Sequence, residues 1–329
     1  MPRLAIPWAL GLILAACGGE GGTATGQQAE AGERVSVVVT TTILGDVVRN
    51  VVGDAADVEV LMPIGVDPHS FEPSAQQMRA MRDADLIVAS GLLLEEQLTG
   101  PIESAEAEGV QVLSVGEEVD PLPFAEGGHD DDDDAHDDDD GDDGHGYGEK
   151  DPHFWLDPVR MAEGARLLGA ELAGLDADAI DDWTARAEDY AGELEQLSSD
   201  IEEQLAGIPE GSRKLVTNHE AFGYFAERYD FEVVGAVIPG GTTLEEPSAA
   251  DLRDLAGIID REQVPAIFTE TTQPARLAES LATEADLDVQ VVELYTESLS
   301  EDGGTDGDTY IGMMRINAQR ISGALSWTG

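Results

Sequence analysis

Residues 179–206 read AIDDWTARAEDYAGELEQLSSDIEEQLA. The stretch is Glu-rich, its Ala and Leu recur at helical spacing, and its only interior breaker is Gly192. It predicts one helix of about seven turns at ~3.6 residues per turn. On either side, short β-branched runs alternate with longer amphipathic segments, the signature of an α/β fold. Before the long helix, strands are expected at 35–41, 58–62, 86–89 and 110–113, with helices at 43–52, 74–84, 92–107 and 158–175. After it, strands are expected at 214–217, 233–238, 266–269 and 289–294, with helices at 220–229, 249–262, 274–285 and 309–324. The halves match at four strands each. The long helix therefore reads as a rigid connector between two parallel-sheet lobes, 35–178 and 207–329. Open parallel sheets bind ligands beyond the carboxyl ends of their strands, so the expected site is a crevice shared by the lobes.

Composition narrows the function. The 329 residues include 69 Asp and Glu against 17 Lys and Arg, a formal net charge of −52. Phosphate affinity comes from clustered Lys and Arg, and here Lys occurs only at Lys150 and Lys214. A nucleic-acid binder is excluded. At 42% apolar residues the chain has enough material for a real core.

The single cysteine, Cys17, excludes disulfides and thiolate zinc sites. It stands after Arg3, an apolar run over 4–16 too short for the ~20 residues of a membrane span, and Leu14-Ala15-Ala16. Residues 1–16 read as a secretory signal peptide. Small residues directly before a cysteine resemble the bacterial lipobox, in which the cysteine is lipidated and becomes the new N-terminus. Residues 17–34 then form a flexible Gly, Ala, Thr and Gln-rich tether. A second unusual segment, 126–151, holds 14 acids against one lysine. Like charges at this density repel, and almost nothing apolar is present to bury, so it is expected to be a disordered insertion.

Six histidines form two groups. His129, His136 and His145 sit in the acidic insertion. His69, His153 and His219 sit in the folded part, two of them in Asp-Pro-His tripeptides. Three neutral imidazoles with one carboxylate make a tetrahedral metal set, and Glu297, just after the last strand, supplies a candidate fourth ligand. The spacings of 84, 66 and 78 residues are far longer than those of zinc fingers. On spacing alone, three unrelated structural histidines account for the sequence as well.

Longer motifs decide between these readings. They are Asp67-Pro68-His69-Ser70-Phe71-Glu72-Pro73-Ser74, His153-Phe154-Trp155-Leu156-Asp157-Pro158, and Asn218-His219-Glu220-Ala221-Phe222-Gly223-Tyr224-Phe225-Ala226. The last pair is Glu297-Ser298-Leu299 and Gly307-Asp308-Thr309-Tyr310-Ile311-Gly312-Met313-Met314. In this order they resemble the zinc/manganese solute-binding lipoproteins of bacterial ABC transporters, over essentially the whole chain from Val35. The resemblance implies two α/β lobes joined by a single long helix with the metal buried between them, and ligands at His69, His153, His219 and Glu297. The family usually has Asp at the last position; the extra methylene of Glu297 leaves its coordination mode open. Three histidines favour Zn²⁺ over Mn²⁺ on ligand softness, and a His- and acid-rich loop before the second histidine resembles the zinc-specific members.

The function implied is extracytoplasmic capture of a divalent transition metal, zinc before manganese, and its delivery to an ABC permease with a cytoplasmic ATPase. The protein would be a non-enzymatic monomer anchored through Cys17 to the outer face of the cytoplasmic membrane. Glu270 and Glu220 are candidates to orient ligating imidazoles, with Asp67 and Asp157 also near histidines; Asp157 before Pro158 reads as a helix N-cap. His129, His136 and His145 would gather metal weakly at the cleft mouth. Two rival readings are a secreted zinc hydrolase and a surface adhesin or metal buffer acting through the acidic loop. The hydrolase lacks support from a His-Glu-x-x-His motif, since Gly223 stands where the second histidine belongs.

Overall fold

A computed structural model describes residues 34–124, 150–176, 179–285, 287–301, 303 and 306–326. The signal peptide, all of the tether but Arg34, and the insertion from 126 to 149 with its three histidines lie outside the described residues. The elements run β1 (Val35–Val39), α1 (Thr42–Val52), β2 (Ala56–Val60), α2 (Ala75–Asp83), β3 (Leu86–Ala89), α3 (Thr99–Ala107), β4 (Gln111–Ser114), α4 (Val115–Glu118) and α5 (Pro158–Leu175). After α6 (Ile180–Leu205) come β5 (Lys214–Thr217), α7 (Gly223–Tyr229), β6 (Glu232–Ala236), α8 (Ala249–Glu262), β7 (Ala266–Glu270), α9 (Arg276–Glu284), β8 (Gln290–Leu294) and α10 (Tyr310–Leu325). Strand order is β2-β1-β3-β4 in one sheet and β6-β5-β7-β8 in the other, with every pairing parallel.

The inner strands β1, β3, β5 and β7 are largely buried on both faces because helices cover both faces. Val37, Val39, Leu86 and Val88 point into a large central core, while their neighbours Val38 and Ile87 pack outward with Met81 of α2 and Ala105 of α3. The second sheet repeats the alternation. Leu215 and Phe268 face the central core, and Val216 and Ile267 face Leu255, Ile259 and Leu281 of α8 and α9.

The helix α6 runs unbroken through Gly192, whose missing Cβ faces open space. Trp183, Ala187, Tyr190, Ala191, Leu194, Leu197, Ile201 and Leu205 form its buried stripe, at the spacing of one helix face. It is fastened at both ends. Trp183 Nε1 donates to Val52 O at 3.3 Å on the first half, and Tyr229 of α7 donates to Ser198 Oγ at 3.4 Å on the second. Where α5 crosses α6, a Cβ on Gly169 would stand 2.5 Å from that of Ala187, so only glycine permits this closeness.

Several element ends depart from expectation for local reasons. The first strand stops at Val39 because Thr41 caps α1, accepting from Leu44 N at 3.3 Å. The expected helix over 92–107 begins only at Thr99, after a 3₁₀ turn at Glu96–Leu98. Gly91, Leu92 and Leu93 all take positive φ, which lets the buried Glu95 carboxylate accept from Ser90 N, Gly91 N and Thr40 Oγ1. The helix expected from 220 begins at Gly223, because residues 217–221 form turns around His219: Thr217 Oγ1 and Ala221 N both donate to His219 O.

Two residues of the expected insertion 126–151 are part of the described fold. Lys150 forms an antiparallel bridge with Pro123, and Asp151 is only 2% exposed. A carboxylate is buried where it has partners, and Asp151 has His153 N and Nδ1.

Candidate metal centre

The strand C-termini carry the site. His69 lies in the loop after β2, His219 two residues after β5, Glu270 at the end of β7, and Glu297 three residues after β8. His153 stands at the turn before α5. In the second sheet β5 and β7 are the adjacent strands between which the strand order reverses, the usual place for a ligand crevice.

Both Asp-Pro-His tripeptides fold alike. Asp67 Oδ1 accepts from His69 N at 2.9 Å, and Asp151 Oδ1 accepts from His153 N at 2.9 Å. These are Asx turns, with proline stiffening the middle residue. The remaining contacts differ. Asp151 Oδ1 also lies 2.7 Å from His153 Nδ1, whereas Asp67 Oδ2 accepts from Thr243 Oγ1 at 2.5 Å and Gln273 Nε2 at 2.6 Å in the second half. Gly223 is required here, since Asp151 Oδ2 lies 2.6 Å from where its Cβ would stand.

His69, His153, His219 and Glu297 converge, all buried, with one donor atom from each within 4.8 Å of the others. Glu297 Oε1 lies 2.9, 3.4 and 3.7 Å from Nε2 of His69, His219 and His153, and the last two nitrogens are 3.1 Å apart. Asp151 holds Nδ1 of His153, and Glu270 holds Nδ1 of His219. With Nδ1–H donated to a carboxylate, each Nε2 offers its lone pair to the centre. Behind them, Trp155 packs edge-on against His153 and donates from Nε1 to Thr296 O at 2.6 Å, tying the His153 turn to the Glu297 loop. Asn317 of α10 brackets Tyr295, accepting from its N at 3.0 Å and donating to its O at 2.5 Å.

Electrostatics favour a cation. Burial alone would drive a proton off His153, but Asp151 and then Glu297 outweigh it and push the imidazole up to about 9. His219 is raised by Glu270 against the same burial penalty. Glu297 also meets a burial penalty, overcome by His69, His153 and His219, which hold its carboxyl well below the usual range. Both ring nitrogens of His69 and Glu297 Oε1 are buried without a hydrogen bond. Zinc–nitrogen bonds of about 2.0–2.1 Å place the corners of a tetrahedron about 3.3 Å apart, and the four separations above bracket that value. The donor set fits a small divalent cation.

Of the two residues expected to orient imidazoles, Glu270 does so and Glu220 is elsewhere. Glu220 borders a groove outside the centre with Val233, Gly235, Asp251 and Leu255. Adjacency in sequence misleads, because the turn at His219 sends the next side chain away. Asp151 is the partner that sequence reasoning missed; the repeated Asp-Pro-His tripeptide was the available clue. Asp157 caps α5 from Oδ1 to Val159 N at 2.9 Å, with Pro158 in the first position.

The model of the ZnuA family, zinc-uptake complex component A periplasmic, matches residues 37–324. The manganese-binding lipoprotein MntA of Halalkalibacterium halodurans is 32% identical over 317 residues, covering 96% of each chain. The zinc-binding protein TroA of Treponema pallidum is 30% identical over 88% of each. The solved structure of the periplasmic zinc-binding protein TroA from Treponema pallidum matches with a TM-score of 0.78 at 29% identity, over 90% of this chain and all of that one.

Two parallel-sheet lobes bridged by one long helix, together with these likenesses, define the class: metal-binding solute-binding proteins of ABC transporters. The chain belongs to the ZnuA family. Its members are binding proteins rather than enzymes, which removes the hydrolase reading. Among the described residues no helix is long and apolar enough to cross a membrane.

Proposed function

We propose that this protein captures zinc, with manganese as the weaker cargo, through His69, His153, His219 and Glu297, and passes it to a membrane permease driven by a cytoplasmic ATPase. The convergence of four buried donors, with both ring nitrogens of His69 and Glu297 Oε1 lacking hydrogen bonds, carries the reading. Relatives are named for manganese as well as zinc, so the preference rests on the donors. Three imidazoles and one carboxylate suit zinc, while manganese prefers more oxygen.

The protein works as a monomer, lipid-anchored through Cys17 outside the cytoplasmic membrane, with residues 18–33 as tether. His129, His136 and His145 act as weak auxiliary collectors of the same cation. Capture exchanges protons for metal at His153 and His219. The lobes move little on loading, since one continuous helix resists the bending that several flexible crossovers would allow.

Competitive titration of the metal-free protein with zinc and manganese against a chelator tests the preference. Zinc should bind at least about tenfold tighter, a gap of about 1.4 kcal/mol. Equal affinities, or tighter manganese, would overturn the zinc assignment.

A further inference from the structure

The two oxygens of Glu297 have different surroundings. Oε1 faces the three histidines at 2.9 to 3.7 Å. Oε2 accepts from Thr272 Oγ1 at 3.2 Å. The same hydroxyl lies 3.5 Å from Oε2 of Glu270, the residue holding His219. A hydroxyl has one proton to give, and the shorter contact is to Glu297.

Thr272 is placed for this by the strand before it. Glu270, the last residue of β7, reaches His219, Thr272 reaches Glu297, and Gln273 reaches Asp67 across the crevice. One four-residue tip thus touches three of the segments that bear candidate ligands. Thr272 is only half-buried, so its side chain closes the edge of the centre without being part of the core.

We propose that Thr272 is a specificity-determining residue: by occupying Oε2 it holds Glu297 to monodentate ligation and limits the cargo to four donors. This rests on the reading that the three histidines and Glu297 ligate the metal. With Oε1 turned to the histidines and Oε2 to Thr272, chelation through both oxygens requires the carboxylate to rotate away from this hydrogen bond. Zinc loses nothing by this, because four donors complete its tetrahedron. Manganese, which favours six oxygen-rich positions, is left short of ligands. The longer side chain of Glu lets Oε1 enter the centre while Oε2 stays at the wall.

Cobalt(II) is the probe, because its d–d absorption is intense when four-coordinate and weak when five- or six-coordinate. The wild-type protein, Thr272→Val and Thr272→Ser are loaded with cobalt, and their zinc and manganese affinities are measured by competition. Val keeps the shape and removes the hydroxyl; Ser restores it. The wild type should give the intense four-coordinate spectrum, and Thr272→Ser should keep it. Thr272→Val should lose intensity, and its zinc-to-manganese preference should fall about tenfold, the worth of a hydrogen bond to a charged acceptor. A Thr272→Val protein with the wild-type spectrum and preference would overturn the role of Thr272 alone. So would a weak spectrum from a wild type that binds cobalt tightly, which needs no variant to fold. A wild type that takes up no cobalt, or a His153→Ala variant that binds it equally well, would instead overturn the ligand assignment and this inference with it.

Discussion

The side-chain amide of Gln273 donates to Asp67 Oδ2 at 2.6 Å, joining positions 206 residues apart across the crevice. Thr243 donates to the same oxygen at 2.5 Å, while the other oxygen fixes the backbone of His69. Moving the His69 loop away from the second half must break both cross-links. Replacing Gln273 with Leu should therefore speed zinc dissociation about tenfold, in line with one lost hydrogen bond to a carboxylate, with the metal's coordination unchanged. Stopped-flow chelator competition measures this. An unchanged rate would show that the cross-link does not govern release.

Asp157 is fully buried and holds two cations, Arg160 at 2.8 Å and Arg228 through two hydrogen bonds of 2.8 Å, while also capping α5. Arg228 belongs to α7 of the other lobe, so the network fastens the halves behind the metal centre. Removing one partner of a buried pair leaves the other charge uncompensated, at about 3–5 kcal/mol. Asp157→Ala should lower the urea stability of the metal-free protein by that order. A loss below about 1 kcal/mol, the range of an exposed pair, would place the network outside the stability-determining contacts.

The metal-free protein should lose stability in mildly alkaline solution. His153 titrates at about 9 when folded and near 6.5 when unfolded. A raised pKa means the folded state binds the proton more tightly. The resulting stabilisation is complete below about pH 6.5 and is lost as pH rises through about 9. His219, also raised, adds in the same direction. Glu297 is lowered, so its contribution is present above the unfolded carboxyl value and lost in acid. The melting temperature of the metal-free protein should fall from pH 6.5 to 9.5, while that of the zinc-loaded protein should not, because metal then replaces the protons. Parallel pH curves for the two forms would refute the coupling.

Asp151 separates the acidic loop from the centre, and two deletions exploit this. Removing residues 126–149 should leave tight zinc binding intact. Removing 126–151 takes away the carboxylate that orients His153 and should weaken binding about 10–100-fold, the usual cost of losing such a partner. Loss of tight binding in the shorter deletion would favour the buffering or adhesin reading in which the loop is the active element.

Much of this arrangement is legible in the sequence, and the omissions share a cause. The long helix can be read because its apolar stripe, Trp183 to Leu205, repeats over about six turns without a rival periodicity. The strands can be read because burial on both faces leaves β-branched runs such as residues 35–39. The histidines stand out through their Asp-Pro-His and Asn-His-Glu contexts. What periodicity cannot carry is direction after a turn. The partner of His219 is Glu270, 51 residues away, rather than the adjacent Glu220. Asp151 looked like the last of a run of solvated acids, although its position two residues before a histidine matched Asp67 before His69. The left-handed backbone at Leu92 and Leu93 carries no sequence cue either, since leucine rarely adopts it. It is imposed by the buried Glu95 carboxylate and the backbone donors it gathers.

The proposed site holds one cation among His69, His153, His219 and Glu297 together. Its most direct test is elemental analysis of the chain from residue 18 onward, loaded with zinc and desalted, alongside His69→Ala and Glu297→Ala. The four-ligand centre predicts about one zinc per wild-type chain, with the metal lost from His69→Ala and weakened in Glu297→Ala. A wild type that retains no zinc, or a His69→Ala protein that retains it in full, would rule out this ligand set.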